Sequence, residues 1–500
     1  MTTAGRTLRA GAVWPARDDL AALARQGNLI PIYREILADL DTPVSAFLKI
    51  HRGSYGFLLE SVEGGEKWAR YSFLGTEPAR VFRCRDRTVE IERPGLPPER
   101  RTVDDPLDAL RQLLAEYRLV AVPGLPRFAG GLVGCVGYDM ARTFERLPTR
   151  TTDDLGLPDA CLMLAESLLV FDNVAQKIKV VSHVHLRDGE SADAAYDAAV
   201  ARIDALVARL AAAPAEPERI EAVPGAVRSN VTQAEYEANV RRAKEYIRAG
   251  DVIQVVLAQR FELPLAAPPF NVYRCLRTVN PSPYHFFLAL GDHAVAGASP
   301  ETMVRVEDGE VVVRPIAGTR PRGTIEREDR AMAAELAADP KELAEHVMLL
   351  DLGRNDVGRV ARTGTVAVTE RFMIERYSHV MHLVSNVRGE LEPERGAFDA
   401  LRATFPAGTL TGAPKIRAME IIEELEPVRR GVYGGAVGYF AFSGAMDTAI
   451  TIRSALFRNG RVYVQAGAGI VADSDPEAEH RECVNKARAM IQAVRMAEAL

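Results

Sequence analysis

Two apolar, β-branched runs, residues 449–457 and 461–465, stand on either side of Asn459-Gly460. Both turn residues tolerate positive φ, so the segment predicts a two-residue β-hairpin. A lone hairpin is marginal in water, so further strands or helices must cover its apolar face. Asp308-Gly309, between residues 304–306 and 311–313, repeats the signal. Residues 162–170 and 178–185 are β-rich and joined through Asp172-Asn173, which predicts a third, longer hairpin. The first two hairpins are each expected to run into a glycine-containing loop. These loops are Gly467-Ala468-Gly469 after the Asn459-Gly460 turn and Ala317-Gly318-Thr319 after the Asp308-Gly309 turn.

Helical signals are interspersed with these strands. Thr232 and Glu235 form a capping box, each side chain able to satisfy an orphan backbone N–H, and the helix should run to about Gly250. Residues 252–261 then read as a strand, and residues 191–213 as an alanine-rich amphipathic helix. Residues 20–40 have helical periodicity, residues 47–51 read as a strand, and the Pro- and Arg-rich residues 94–101 as a surface loop. Pro214, Pro217 and Pro224 mark the best linker. The expected organisation is a flexible tail (1–18), an N-terminal lobe (19–213), a linker (214–227) and a catalytic domain (228–500). One echo crosses the linker: Gly130-Gly131-Leu132-Val133-Gly134 matches Gly434-Gly435-Ala436-Val437-Gly438. Strands and helices intermingle in both halves. We therefore expect an α/β (α+β) layered sandwich of two lobes, with β-sheets packed at the core and helices outside.

At 500 residues and 47% hydrophobic content the chain can bury several sub-cores. The net charge of −6 is spread along the chain with no basic stripe, which argues against nucleic acid as a partner. No run of about 18 apolar residues suggests a membrane span, and residues 1–18 lack the apolar core of a signal peptide. Cys84, Cys135, Cys161, Cys275 and Cys483 form no C-x-x-C pair, so a reducing cytoplasm is expected.

Two helical segments carry carboxylates three residues apart, Glu342 with Glu345 and Glu479 with Glu482. That spacing puts each pair on one helix face. The four could hold a hard cation, since magnesium takes one or two protein carboxylates plus substrate oxygens. Equally, they could be solvated surface, with Glu482 paired to Lys486 one turn on. Spacing leaves both readings open.

The ordered set of motifs goes further. Pro281-Ser282-Pro283-Tyr284, Gly297 to Glu301, Pro315 to Arg320, Glu345 through Asp356, His382 to Ser385, Phe405 to Lys415 and Gln465 to Ile470 together resemble the chorismate-utilising enzyme family across residues 230–500. Leu58 to Ser61 is similar to the tryptophan-sensing segment of that family's anthranilate synthase large subunits. The resemblance implies Glu345 and Glu482 as magnesium ligands, with Glu342 and Glu479 in support. It implies Arg453, Tyr433, Lys486 and the backbone of Gly467, Ala468 and Gly469 as contacts for the substrate, a dianion. Gly318, Thr319 and Thr409 would position ring and carboxylate. His382 would lie beside the reacting ring, and Glu301 would be the general acid for the departing C4 hydroxyl. Asp351, Arg354, Asn355 and Asp356 would be structural.

Two positions separate branches of the family. Ala317 stands where aminodeoxychorismate synthases resemble a nucleophilic lysine, and Gln254 where water-adding members resemble a lysine base. Neither lysine is present, which fits direct attack by ammonia and points to the anthranilate synthase branch. That branch implies a separate glutamine amidotransferase subunit as ammonia source. It also implies tryptophan as inhibitor, contacted by Glu60, Ser61, Pro283, Tyr284 and His285. His285 departs from the methionine often found there. An aminodeoxychorismate synthase that dispenses with the lysine and a non-catalytic tryptophan- or chorismate-binding regulator are the rival readings. A dinucleotide enzyme is not, because no G-x-G-x-x-G opens a βαβ unit.

Overall fold

The computed structural model describes residues 11–61, 70–213, 225–377 and 380–500. Much of the proposed linker, residues 214–224, and most of the tail, residues 1–10, lie outside them. Residues 11–18 are not loose. Val13–Trp14 pairs with Leu29–Leu37, and Arg17 is salt-bridged to Asp193 and Asp197.

Among the described residues the strands form two antiparallel sheets of 13 and 12 strands. Each sheet draws on both halves of the chain. In the first, Tyr55–Glu60 pairs with Tyr284–Leu290. In the second, Gly131–Val136 pairs with Ala436–Ala441. The glycine echo seen in the sequence is this second seam. The repeated segments are antiparallel neighbours with Gly134 opposite Gly438, so each half supplies one copy of the same strand.

The layers follow from which face each side chain takes. Phe57, Phe73, Phe286 and Leu456 of the first sheet pack against Val133, Met163, Val437 and Tyr439 of the second. The outer face of the first sheet is covered by helices Pro43–Ile50, Ala192–Ala211, Pro269–Val279 and Pro476–Ala497. Helices Pro106–Ala115, Pro340–Gly358 and Ala397–Thr404 cover the second. The result is the layered sandwich with helices outside. Strands at its centre are buried on both faces: Ala160–Ala165 is buried throughout and so shows no polar alternation.

Several local expectations are corrected. Residues 20–40 hold only a short helix, Leu20–Leu23, and then a strand, Leu29–Leu37. Pro31 cannot sit inside a helix, and Ile30, Ile32 and Ile36 favour an extended chain. Residues 47–51 end a helix, Pro43–Ile50, which Thr42 caps with Pro43 at its first turn. Residues 94–101 are mostly an exposed edge strand, Leu96–Thr102, where Pro97 and Pro98 cost no central ladder bond. The run 162–170 breaks at Glu166, between Ala160–Ala165 in the second sheet and Ser167–Asp172 in the first. The run 449–457 breaks likewise. Met446–Ile450 belongs to the second sheet and Ser454–Arg458 to the first, and Arg453 between them has φ +49°. The capping box of Thr232 and Glu235 and the left-handed stop at Gly250 are as expected. So are the hairpins at Asp308-Gly309 and Asn459-Gly460.

Candidate active site and a second pocket

The crossing at Arg453 builds the site. Where the chain leaves one sheet for the other, the Arg453 side chain comes within electrostatic reach of Tyr433, Glu482 and Glu301. The Arg453 backbone is anchored by a hydrogen bond from Ala298 N–H to its carbonyl, 3.1 Å. Burial lowers the guanidinium pKa, and the charges of Tyr433, Glu482 and Glu301 act against that. Among the described residues no carboxylate pairs with it. A half-buried guanidinium without a protein anion is a ready receptor for a ligand carboxylate.

The same crossing exposes a strand edge. Ser454–Arg458 meets Arg461–Ile470 only at residues 461–464, so beyond Val464 that edge has no strand beside it among the described residues. Gly467, Ala468 and Gly469 are therefore the interior of a strand, bonded on one side to Gln254–Pro264, and not the loop expected. Ala468 turns its methyl into the core, so only its backbone can serve a ligand. On Gly467 the carbonyl takes a hydrogen bond from Lys486 Nζ, 3.0 Å, and a Cβ there would lie 3.1 Å from the Tyr433 hydroxyl. Ala317, Gly318 and Thr319 also lie in a strand, Ile316–Pro321, with a bulge at Gly318, where φ is +65°.

Glu301 follows the strand His293–Ser299 and is 8% exposed. Burial pushes its carboxyl up to about 8, against the Thr409 hydrogen bond (3.0 Å) and the Arg453 charge. It is thus largely protonated at neutral pH, as a general acid must be. His382 shares the bulged strand pair. Its Nδ1–H donates to the Gly318 carbonyl, 2.9 Å, which leaves Nε2 with the lone pair. Burial lowers the His382 pKa, so the ring is neutral.

Glu345, on helix Pro340–Gly358, accepts a hydrogen bond from Gln254 Nε2, 3.1 Å. Burial raises its pKa; Gln254 opposes this, and the charges of Glu342 and Glu482 add to it. Glu479 is raised by burial, against a Ser474 hydrogen bond and with the Glu482 charge. The two acidic helices therefore face one another. Two of the four carboxylates already have cations: Glu482 binds Lys486 at 2.6 Å and Glu342 binds Arg320 at 3.1 Å. Among the described residues no three His, Cys, Asp or Glu side chains form a ready-made cage. The donors are all hard oxygens around a half-buried, like-charged carboxylate. They fit magnesium, which fills its remaining positions with water and ligand oxygens.

Asp356, read as structural, makes a buried ion pair with Lys415 at 2.9 Å. Asp351 and Arg354 pair with each other on the surface at 2.8 Å.

The residues expected to hold an inhibitor gather in a second pocket. Glu60, Ser61, Pro283, Tyr284 and His285 all line it, beside Tyr439 and Asp447. The strand seam explains how residues so distant in sequence meet, for Glu60 stands opposite His285. Glu60 is engaged by Tyr273 and by Arg277, 3.0 Å. His285 is 1% exposed and accepts the Ser282 backbone N–H at 3.1 Å. Burial depresses its pKa to about 3, so it lines the pocket as a neutral ring.

The sequence pattern missed two residues. Gln254 stood out only as the residue replacing a base, yet it is the neutral donor that holds Glu345. Thr302 was passed over beside Glu301. Its hydroxyl bonds that of Tyr284, 2.9 Å, which carries the contact into the second pocket.

Comparison with known proteins gives one answer. Residues 57–492 match the family described as chorismate binding enzyme. Anthranilate synthase component 1 of Pseudomonas aeruginosa is 53% identical over 491 residues, covering 96% of this chain and 99% of that protein. The crystal structure of anthranilate synthase component I from Streptococcus pneumoniae superposes with a TM-score of 0.76 at 39% identity, covering 91% of this chain and 98% of that one. The menaquinone-specific isochorismate synthase of Escherichia coli shares the fold at 19% identity, with a TM-score of 0.71 over 95% of this chain and 99% of its own.

Proposed function

The chain belongs to the chorismate-binding enzymes, among relatives named anthranilate synthase component 1, and from that membership we propose that it converts chorismate and ammonia to anthranilate and pyruvate. This is the committing step toward tryptophan. The observation that carries the reading is Arg453, a half-buried guanidinium with no protein carboxylate among the described residues, within electrostatic reach of a protonated Glu301.

The residues divide the work as follows. The Arg453 fork receives the carboxylate of the enolpyruvyl arm, with Tyr433, Lys486 and the open edge at Gly467 to Gly469 around it. Thr409 holds Glu301 in place through its hydrogen bond. Glu301 gives its proton to the C4 hydroxyl, which departs as water while ammonia bonds to C2. The new ammonium group then releases a proton, giving aminodeoxyisochorismate. Loss of the C2 hydrogen as a proton, and protonation of the enolpyruvyl methylene as its C–O bond breaks, release pyruvate and leave the aromatic ring. Neutral His382 lies against Gly318 and Thr319, where it can accept a hydrogen bond from the ring substituents without adding charge. Ala317 offers no amine to compete as nucleophile, and Gln254 offers no base to activate water. Ammonia needs none.

Magnesium held by Glu345 and Glu482, with Glu342 and Glu479 in support, would neutralise the ring carboxylate and draw electrons from the ring. The enzyme is then a magnesium-dependent carbon–oxygen lyase. Ammonia would come from a glutamine amidotransferase subunit, and tryptophan in the second pocket would inhibit. Among the described residues no helix is long and apolar enough to cross a membrane. The five cysteines are buried and free, which suits a cytoplasmic enzyme.

The test is product identity. Incubated with chorismate, magnesium and ammonium, the chain should release fluorescent anthranilate and pyruvate in equal amounts. Accumulation of 4-amino-4-deoxychorismate or isochorismate would overturn the assignment.

A further inference from the structure

Paired strands Thr302–Glu307 and Met446–Ile450 link Glu301 to the second pocket, which Asp447 and Ala449 line. Thr302 is the residue after Glu301 and begins the strand Thr302–Glu307. The chain bends at Glu301, which turns to the Thr409 hydroxyl, while Thr302 turns to the hydroxyl of Tyr284, 2.9 Å away. Tyr284 lines the second pocket and also donates to Asp447, 3.0 Å. Asp447 in turn accepts from Arg127, 2.9 Å, and both line that pocket. Strand Met446–Ile450, which carries Asp447, closes the circuit: the Ile450 N–H donates to the Glu301 carbonyl, 3.0 Å.

The strand pairing at this point is irregular. Thr302 pairs with Ala449, but the register shifts before Val304. A bulge next to an active site is a common means of re-aiming a side chain. The Glu301 carboxyl is held by the Thr409 hydroxyl and the Ile316 backbone, and the hydroxyl of the next residue, Thr302, is tied to Tyr284 in the second pocket.

Building on the anthranilate synthase reading above, we propose that Thr302 is the positioning residue through which an amino-acid ligand in the second pocket acts on Glu301. Displacement of Tyr284 by the ligand pulls on the Thr302 hydroxyl. The bulge yields, and the Glu301 carboxyl swings away from the C4 hydroxyl it must protonate. Inhibition then needs no overlap between ligand and substrate.

The experiment compares the full chain with its Thr302→Val and Thr302→Ser variants. Tryptophan binding is read by calorimetry and tryptophan inhibition by anthranilate formation from chorismate, magnesium and ammonium. Valine keeps the shape and removes the hydroxyl; serine restores it. For Thr302→Val the half-inhibiting tryptophan concentration should rise at least about tenfold while the tryptophan Kd moves less than about threefold, a coupling loss within the usual range. Thr302→Ser should keep both values near those of the unsubstituted chain. Equal inhibition of Thr302→Val and the unsubstituted chain would overturn the link alone. A parallel loss of binding and inhibition in Thr302→Val would also overturn it, since the hydroxyl would then serve binding. If the unsubstituted chain itself forms no anthranilate, or binds no tryptophan, the functional reading fails and the link with it.

Discussion

Glu301 is the residue on which the chemistry turns, because burial lifts its carboxyl to about 8. Glu301→Gln should lower kcat by about 10²- to 10⁴-fold, the usual contribution of a positioned acid. Tryptophan binding, read by calorimetry, should survive. The sign of the pH dependence follows from the direction of the shift. The acid is protonated below its raised pKa, so activity per free ammonia should hold through neutrality and fall as the pH rises past about 8. The Thr409→Val variant removes a hydrogen bond that favours the ionised form. It should move that limb upward, whereas a merely structural threonine would leave it in place. Arg453→Lys keeps a charge and loses the fork. The KM for chorismate should rise by about 10- to 100-fold, the scale of one charge-assisted hydrogen bond. At this scale the sequence named the actors but not their states. A glutamate in a motif carries no record of its burial, and no pattern shows that Arg453 has no carboxylate partner among the described residues or that Glu482 and Glu342 already have a cation.

At the scale of elements, legibility followed the locality of the signal. The capping box of Thr232 and Glu235 and the turn at Asn459-Gly460 are decided by neighbouring residues, and the sequence displayed them. The breaks at Glu166 and Arg453 are decided by which sheet has room for the next strand, so the runs containing them read as continuous. The glycine stretch 467–469 read as a loop, although it is a strand paired on one side and, among the described residues, open on the other. That stretch yields a direct prediction. A Cβ at Gly469 would fall 2.4 Å from Gln254 Nε2, the atom that holds Glu345. Gly469→Ala should therefore displace Gln254 and weaken magnesium activation by about 10-fold or more, the usual effect of losing a partner behind a metal ligand. Titrating activity against magnesium checks this, and an unchanged half-saturating concentration would refute it.

Over the whole molecule, the sequence suggested two lobes, and the structure joins them through both sheets. The seams at Tyr55–Glu60 with Tyr284–Leu290 and at Gly131–Val136 with Ala436–Ala441 leave neither half with a closed sheet of its own. Expressed separately, residues 19–213 and 228–500 should each fail to give a cooperative unfolding transition, while the full chain gives one. A sharp transition for either half alone would contradict the shared-sheet description. The layered class was visible because helix and strand signals alternate. The seams were not, because pairing between residues more than two hundred positions apart leaves no local trace. The claim beneath the functional account is that a doubly anionic ring and a divalent cation share the cleft between the Glu345 and Glu482 helices. Calorimetric titration of chorismate into the chain, with and without magnesium, tests it most directly. The account predicts that each ligand tightens the other by the same factor, as linkage requires, and that Glu345→Gln removes this mutual effect. Chorismate affinity indifferent to magnesium in the unsubstituted chain would contradict it.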